Sequence, residues 1–269
     1  MVPTKDLLNQ WGKEKKPFVF LIDFECRKPL AWLFDDCPDD FKYNFQGVSN
    51  HNNSKTVRQF QFDKSPISIQ EYAVKFNKVK EHISYGNSFL INLTCSTTIN
   101  TDLSHQDIFE ATSSKYRVWF KNHFVCFSPE TFIRIKNGKI YSFPMKGTID
   151  ANIQDAKEII LNDPKEQAEH ATIVDLLRND LSMVSKNVRV LRYRYYEELK
   201  TQHGKIGQVS SEIAGELPDN FNACIGDIVF SLLPAGSVSG APKKKTLEAI
   251  HEIEGIERGY YTGIAGYFD

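Results

Sequence analysis

The sequence lacks a surplus of charge of either sign. It carries 33 basic and 34 acidic residues, and its formal net charge is −1. A chain without a strong basic or acidic field does not attract nucleic acid or an anionic membrane surface over long distances. We therefore expect no nucleic-acid partner and no membrane partner, and an anionic substrate would have to be bound by local groups.

Paired cysteines and long hydrophobic runs are also missing. The five cysteines are odd in number, widely spaced and contain no C-x-x-C pair, which is typical of reduced thiols in the cytosol. The start, "MVPTKDLLNQ", has no basic stretch followed by an apolar segment, and the nearby run "FVFLI" is far too short to span a bilayer. With 269 residues, 41% of them hydrophobic, the chain predicts a globular cytoplasmic protein.

The order of predicted elements favours the α+β class. Residues 17–48 read as short strands, and the polar loop "SNHNNSK" predicts a boundary between a short lobe of strands (1–60) and a main domain (61–269). A helix follows, with Ser68 and Glu71 as a capping box and Gly86 as its stop. Strands rich in β-branched and aromatic residues come next, and Asn137-Gly138 predicts a hairpin turn between two of them.

The longest predicted helix begins at Asp163, and it carries two acids and a histidine on one face. Glu166, Glu169 and His170 are three or four residues apart, and the same face continues into apolar residues. Two carboxylates that point into a cleft would suit Mg²⁺. The alternative is structural, because Glu166 is also the third helical residue after Asp163 and acids in a first turn favourably meet the helix dipole.

A glycine-rich segment, "PAGSVSGAPK", precedes the last predicted helix. Its backbone N–H groups, between Gly236 and the helix start, could bind an anion. It is not a Walker A loop, because Ala241 and Pro242 separate Gly240 from Lys243. The alternative is an ordinary loop followed by solvated lysines.

Two single residues at strand ends carry possible chemistry. Glu130 follows an apolar strand in "CFSPET", and burial there would raise its pKa and keep it protonated as a general acid. Lys146 lies in "SFPMKGTID", and loss of water around its amine would make it a nucleophile. Taken alone, each is more often an ordinary turn or loop residue.

Five segments occur together in one order: "GNSFLINLT", "FSPETF", "FPMKGT", "AEHATIVDLLRNDLSMV" and "PAGSVSGAPKKKTLEAIHEIEGIERGYYTGIAGYF". By these segments, the chain from about Ile69 to its last residue resembles the chorismate-utilising enzymes, which include anthranilate, isochorismate, salicylate and aminodeoxychorismate synthases. The resemblance implies two large, mostly antiparallel sheets packed as a sandwich with helices on the outer faces, in a single large domain.

The residue before "GT", here Lys146, differs between subgroups of this family. Aminodeoxychorismate synthase component I typically has lysine before "GT", whereas anthranilate synthase has alanine. The resemblance then implies that Lys146 attacks C2 of chorismate while Glu130 helps the C4 hydroxyl leave. Ammonia from a glutamine amidotransferase subunit would add at C4 and give 4-amino-4-deoxychorismate, the precursor of p-aminobenzoate and folate.

The remaining site residues are also carried over by resemblance. Glu166 and Glu169 match acids that bind Mg²⁺, and His170 and Thr148 match catalytic positions beside them. The positions that match substrate-binding residues are Gly147, Gly236, Ser237, Gly240, Ala241 and Lys243.

The sequence departs from the family pattern at three places. That pattern continues beyond "GYF" into an arginine-bearing strand, a second glycine-rich turn and two more metal-binding glutamates, so we expect the domain to be incomplete at its C-terminus. The short N-terminal lobe argues against inhibition by tryptophan. Leu90 stands where relatives of this subgroup often have glutamine.

Three other functions remain as alternatives. Anthranilate synthase component I is the nearest, and Lys146 argues against it. A truncated synthase that docks a glutaminase without turning over chorismate is favoured by the absent C-terminal acids. An isochorismate or salicylate synthase is disfavoured, because "SFLINLT" stands where such enzymes have a general-base lysine.

Overall fold

A computed structural model describes residues 2–51, 59–201 and 204–269, so part of the predicted loop "SNHNNSK" lies outside the described residues. Helices form at α1 (Thr4–Lys13), α2 (Ile69–Ser84), α3 (His105–Ala111), α4 (Ala156–Asn162), α5 (Pro164–Ser182), α6 (Ile225–Ser231), α7 (Gly236–Ser239) and α8 (Lys243–Glu254). Strands form at β1 (Phe18–Ile22), β2 (Leu30–Leu33), β3 (Phe41–Phe45), β4 (Val48–Ser49), β5 (Phe62–Ser65), β6 (Leu90–Ile91), β7 (Thr98–Thr101), β8 (Tyr116–Phe120), β9 (Phe124–Ser128), β10 (Arg134–Lys136), β11 (Lys139–Ser142), β12 (Met145–Asp150), β13 (Lys186–Thr201), β14 (Gly204–Glu216), β15 (Gly240–Ala241) and β16 (Ile264–Phe268).

The chain divides into two compact units. The first unit comprises Met1–Pro129 and Val238–Asp269, and the second unit comprises Glu130–Ser237. The predicted boundary near residue 60 therefore falls inside the first unit.

The first unit is built on small antiparallel sheets. Their strand orders are β16-β1-β2, β4-β3-β8-β9, β15-β6 and β5-β7. In β3 the residues alternate between buried and half-buried, as expected for a strand with one face on a core. The core between β1, β3 and β8 is formed by Val19, Leu21, Phe41, Tyr43, Phe45 and Val118.

The second unit contains a five-stranded antiparallel sheet that positions the candidate site. Strands β10, β11, β14 and β12 pair in that order, and the long strand β13 also pairs with β14. Helix α5 packs against this sheet through an apolar face. The shared core consists of Ile140, Val174, Leu177, Leu181, Ile213, Leu217, Ile228 and Leu232. Burial of these aliphatic side chains supplies the main driving force that holds α5 on the sheet.

Several predicted local features are confirmed. Ser68 and Glu71 form a full capping box at the start of α2. The Asp163 side chain caps α5, with Pro164 as its first residue. Asn137 and Gly138 have φ angles of +52° and +70° in the tight turn between β10 and β11, as a two-residue hairpin turn requires.

The α+β class with antiparallel sheets is confirmed as well. Helices α1, α3 and α4 and the β13–β14 hairpin were not predicted from the sequence. In β13, "VRVLRYRYYEELK" mixes charged and apolar residues without strict alternation, because β-bulges shift its register against β14. A shifted register obscures the two-residue period from which a strand is recognised.

One stretch of the described residues, Phe221–Ser239, has the length and composition of a membrane-crossing helix. Length and composition alone are weak evidence for a membrane span, because core helices of water-soluble proteins meet the same two criteria. Here the stretch is divided among a 3-10 turn, α6 and α7, and Ile228 and Leu232 belong to the core of the second unit.

Candidate active site

Lys146 lies on a β-bulge in β12. Met145 pairs with Ser210 of β14, and Thr148 pairs with Gln208, so two residues of β12 stand opposite one residue of β14. A bulge bends its strand and changes the direction of a side chain. This irregularity places the Lys146 side chain beside α5.

Gly147 is the second residue of the bulge, and it is tightly packed. Its φ angle is +83°, in the left-handed region that side chains rarely adopt. A Cβ atom there would lie 2.7 Å from Oε2 of Glu166 and 3.4 Å from Cδ1 of Ile160. The Glu166 carboxyl group of α5 therefore lies directly against the backbone of the "KGT" turn.

Glu169, one turn further along α5, contacts two lysines. Its carboxylate lies 3.5 Å from Nζ of Lys146 and 3.7 Å from Nζ of Lys165. The Lys146 side chain is 44% exposed, so its ammonium group keeps contact with water. The dry environment expected for Lys146 from the sequence is therefore wrong, and a neighbouring carboxylate takes its place.

Glu130 belongs to the same cluster. The residue as a whole is exposed. Desolvation nevertheless raises the pKa of its carboxyl group, while the positive charge of Lys146 acts in the opposite direction. The role of Glu130 as a general acid stays a prediction.

His170 is completely buried beside this cluster. Its Nε2 lies 2.7 Å from Oγ of Ser211 on β14, and its ring makes an edge contact with Tyr193. Burial lowers the pKa of His170, the charge of Arg194 lowers it further, and the backbone of Lys146 acts in the opposite sense. A neutral imidazole is the expected result.

The structure places the other predicted residues of the second unit near α5 and β14. Thr148 is exposed and lies opposite Gln208 in the strand register. The Gly236 N–H donates to Oδ2 of Asp180 at 3.3 Å, and a Cβ on Gly236 would be 2.9 Å from the same oxygen. This N–H is therefore already bonded to an acid, and Ser237 follows it in α7.

Gly240, Ala241 and Lys243 belong to the first unit. Gly240 has a φ angle of +128°, and a Cβ there would overlap the carbonyl oxygen of Leu90. Close pairing of β15 with β6 therefore requires glycine at this position. Lys243 is the first residue of α8.

The comparison with protein-family models identifies the family. The model described as chorismate binding enzyme matches residues 22–269, which is most of the chain. The chain belongs to the chorismate-binding enzyme family. This chorismate-binding enzyme is 47% identical over 262 residues to an uncharacterized PabA-like protein of Haemophilus influenzae, covering 97% of this chain and 80% of that relative. It is 32% identical over 219 residues to aminodeoxychorismate synthase component 1 of Bacillus subtilis, covering 76% of this chain and 45% of the relative.

The fold of the chorismate-binding enzyme is also found in solved structures. The menaquinone-specific isochorismate synthase MenF of Escherichia coli superimposes with a TM-score of 0.72 over 99% of this chain and 70% of that chain. The two sequences are 16% identical, so this likeness shows the fold alone.

Ser211 and Arg194 are the contacts of the candidate site that the sequence analysis missed. They fix the environment of His170, yet Ser211 is 41 positions away from it in the sequence. The Arg194 guanidinium donates to the carbonyls of Leu161 and Ile160 at 2.8 and 3.1 Å, at the end of α4. No local pattern marks such contacts, since they form only when β13 and β14 pack on α4 and α5.

Proposed function

We propose that this chorismate-binding enzyme acts as an aminodeoxychorismate synthase component I. The observation that carries the proposal is the contact between Lys146 and Glu169, at 3.5 Å, on the bulge of the "PMKGT" motif. The similarity to aminodeoxychorismate synthase component 1 of Bacillus subtilis supports it. Lysine at position 146 argues against anthranilate synthesis.

The site residues provide the groups that the reaction needs. Lys146 must lose a proton to water before it can attack, and the neighbouring Glu169 carboxylate holds its amine in place. The neutral amine then forms a bond with C2 of chorismate, and the C4 hydroxyl leaves as water with a proton from Glu130. Ammonia adds at C4, the bond between C2 and the amine breaks, and 4-amino-4-deoxychorismate is released with Lys146 regenerated.

Glu166 and Glu169 would hold Mg²⁺ in this proposal. In the described part of the chain, no group of three or more His, Cys, Asp or Glu residues forms a metal site. Mg²⁺ is nevertheless usually bound through one or two carboxylates, with waters and substrate oxygens as its other ligands, so these two acids fit it. When bound, the ion would supply positive charge that offsets the carboxylates of chorismate.

A glutamine amidotransferase would supply ammonia to the enzyme in the cytoplasm. Because added ammonium salt can replace the partner in a test, the synthase reaction can be measured with the full-length protein and without a glutaminase. The alternatives then give different products: anthranilate is fluorescent, and a docking module without turnover gives no product.

The deciding experiment follows 4-amino-4-deoxychorismate by mass spectrometry after addition of chorismate, Mg²⁺ and ammonium. Lys146→Ala should lower the rate by roughly 10³-fold or more, the order of loss seen for covalent nucleophiles. Lys136→Ala, at an exposed position of β10 in the same unit, is the matched control and should keep the parent rate. Full turnover by Lys146→Ala, or the absence of an adduct on Lys146 in enzyme quenched during the reaction, would refute the covalent role.

A further inference from the structure

Ser211 lies at the centre of a small, largely buried hydrogen-bond chain. Its side chain has no exposure to solvent, and the same holds for His170. The Arg194 backbone N–H donates to Oγ of Ser211 at 2.9 Å. The other side-chain hydrogen bond of this oxygen, among the residues that the structure describes, joins it to Nε2 of His170 at 2.7 Å.

The hydrogen-bond partners of Ser211 bear on which nitrogen of the His170 ring carries the hydrogen. Oγ of Ser211 accepts from Arg194, so its own hydrogen needs an acceptor, and Nε2 of His170 is the group in position. If Nε2 instead carried a hydrogen, the Ser211 hydroxyl hydrogen would be buried without an acceptor, which is costly. This arrangement at Ser211 favours a neutral ring that is protonated on Nδ1.

The Nδ1–H of this tautomer needs an acceptor from the groups around the ring. Nδ1 is buried, and within residues 2–51, 59–201 and 204–269 it has no partner at full hydrogen-bond geometry. The backbone of Lys146 interacts with the ring in the sense of an acceptor. Ser211 of β14 thus contacts the His170 ring directly, and the Lys146 backbone of the paired strand β12 acts on the same ring.

We propose that Ser211 is a positioning residue, which holds His170 as the Nδ1–H tautomer and, through that ring, holds the Lys146 carbonyl and the direction of the Lys146 side chain. Ser211 is not expected to contact the substrate. Its hydroxyl acts through His170 on the peptide that joins Lys146 to Gly147. The proposal rests on the proposed function for its effect on turnover, but the tautomer and the bulge contact can be tested without substrate.

Long-range ¹H–¹⁵N correlation spectra of the histidine rings test the proposal directly, in mildly alkaline buffer and without chorismate. The His170 signals are assigned by their loss in His170→Gln. We expect the pattern of an Nδ1–H ring in the parent protein and a mixture of both tautomers in Ser211→Ala, with a shift of the Gly147 amide signal. An Nε2–H ring in the parent, or unchanged ring signals in Ser211→Ala, would overturn the proposal.

Ser210→Ala is the matched control, because Ser210 is the adjacent buried serine of β14 and its hydrogen bond, from Gln208 at 3.4 Å, does not involve His170. It should leave the His170 tautomer unchanged, and a shift of tautomer in this variant would also overturn the proposal. If Ser211→Ala does not fold, Ser211→Gly, which also lacks the hydroxyl group, is measured in the same way. An unchanged tautomer there would contradict the proposed role.

The kinetic measurement separates this proposal from the proposed function. Ser211→Ala should lower kcat by roughly 10- to 100-fold with little change in KM, because a small displacement of a reacting group costs about this much. An unchanged kcat in Ser211→Ala, with an active parent, would refute the positioning of Lys146. If the parent shows the expected tautomer and its loss in Ser211→Ala but forms no product from chorismate, the proposed function fails and the role of Ser211 stands.

Discussion

A Cβ atom on Gly147 would lie 2.7 Å from Oε2 of Glu166, so the bulge that carries Lys146 and the first acid of α5 leave no room for a methyl group. Gly147 also has a φ angle of +83°, which an alanine adopts only at a cost. Two independent constraints, the backbone conformation and the neighbouring carboxyl group, therefore require glycine at this position.

Gly147→Ala should destabilise the protein more than Gly138→Ala, the same change at another glycine with a positive φ angle. Gly138→Ala is the matched control, because Gly138 has a φ angle of +70° and nothing within 4 Å of the added Cβ. The control should lower the free energy of unfolding by about 1 kcal/mol through backbone strain. Gly147→Ala should lose a further ~1–3 kcal/mol from overpacking against Glu166, measured by urea unfolding. Equal losses in the two variants would show that the Glu166 carboxyl group moves away freely.

The buried ion pair between Glu254 and Arg258 should contribute strongly to the stability of the first unit. Nη2 of Arg258 lies 2.6 Å from Oε1 of Glu254, and the two side chains are 2% and 1% exposed. Glu254→Gln leaves the guanidinium buried without its counterion, and we expect a loss of about 3–5 kcal/mol in the free energy of unfolding. The matched control is Glu257→Gln, whose partner Arg27 is 65% exposed, and its loss should stay below about 1 kcal/mol.

The same pair sets a pH dependence. Burial acts to raise the pKa of Glu254, but hydrogen bonds from Arg258 and Thr94 and the charge of Arg258 outweigh it and lower the pKa below its usual value. A group whose pKa is lowered by folding stabilises the protein above the pKa of the unfolded state. This contribution to the free energy of unfolding should disappear as the pH falls through the folded-state pKa. The free energy of unfolding of Glu254→Gln, measured over the same pH range, should lack that decrease. A parallel decrease in both proteins would contradict the assignment.

The contribution of Glu130 to stability should depend on pH in the opposite direction to that of Glu254. Because desolvation raises its pKa, the protonated carboxyl is the form that the fold favours. Its contribution to stability is present below the ordinary glutamate pKa and is lost as the pH rises through the raised value. The rate of chorismate amination should fall over the same interval, and Glu130→Gln should remove both effects. An alkaline limb that persists unchanged in Glu130→Gln would assign it to another group.

Removal of Lys165 should strengthen Mg²⁺ binding. Lys146 and Lys165 both lie within 4 Å of the Glu169 carboxylate, so a metal ion has to compete with two ammonium groups. Lys165→Ala removes the more exposed competitor, and we expect two- to fivefold tighter Mg²⁺ binding by calorimetry with chorismate present, on the order of 1 kcal/mol for a solvated charge at this distance. Lys136→Ala should have no effect. Unchanged Mg²⁺ affinity in Glu169→Gln would exclude this carboxylate as a ligand.

Local features of the fold were predictable because the residues that cause them are close in sequence. The box of Ser68 and Glu71 spans three positions, and the Asn137-Gly138 turn needs two adjacent residues that accept positive φ angles. The same reasoning identified Asp163 as the N-cap of α5. The family motifs, likewise short segments, directed attention to Lys146 and Glu169.

The surroundings of the Lys146 amine could not be predicted from neighbouring residues in the sequence. Whether a loop lysine meets apolar side chains or a carboxylate depends on which helix packs against its strand, and here α5 places Glu169 beside it. The role of Gly240 also became visible only from the pairing of β15 with β6, where the Leu90 carbonyl leaves no space for a Cβ.

The sequence by itself determined the family, the α+β class, the helix caps and the residue types available for chemistry, because these depend on neighbouring residues and on short motifs. Tertiary structure alone decided that Ser211 meets His170 and that a bulge directs Lys146 toward α5. His170 and Ser211 are 41 positions apart, and the burial of one shared core brings them together. No local sequence pattern predicts such a contact.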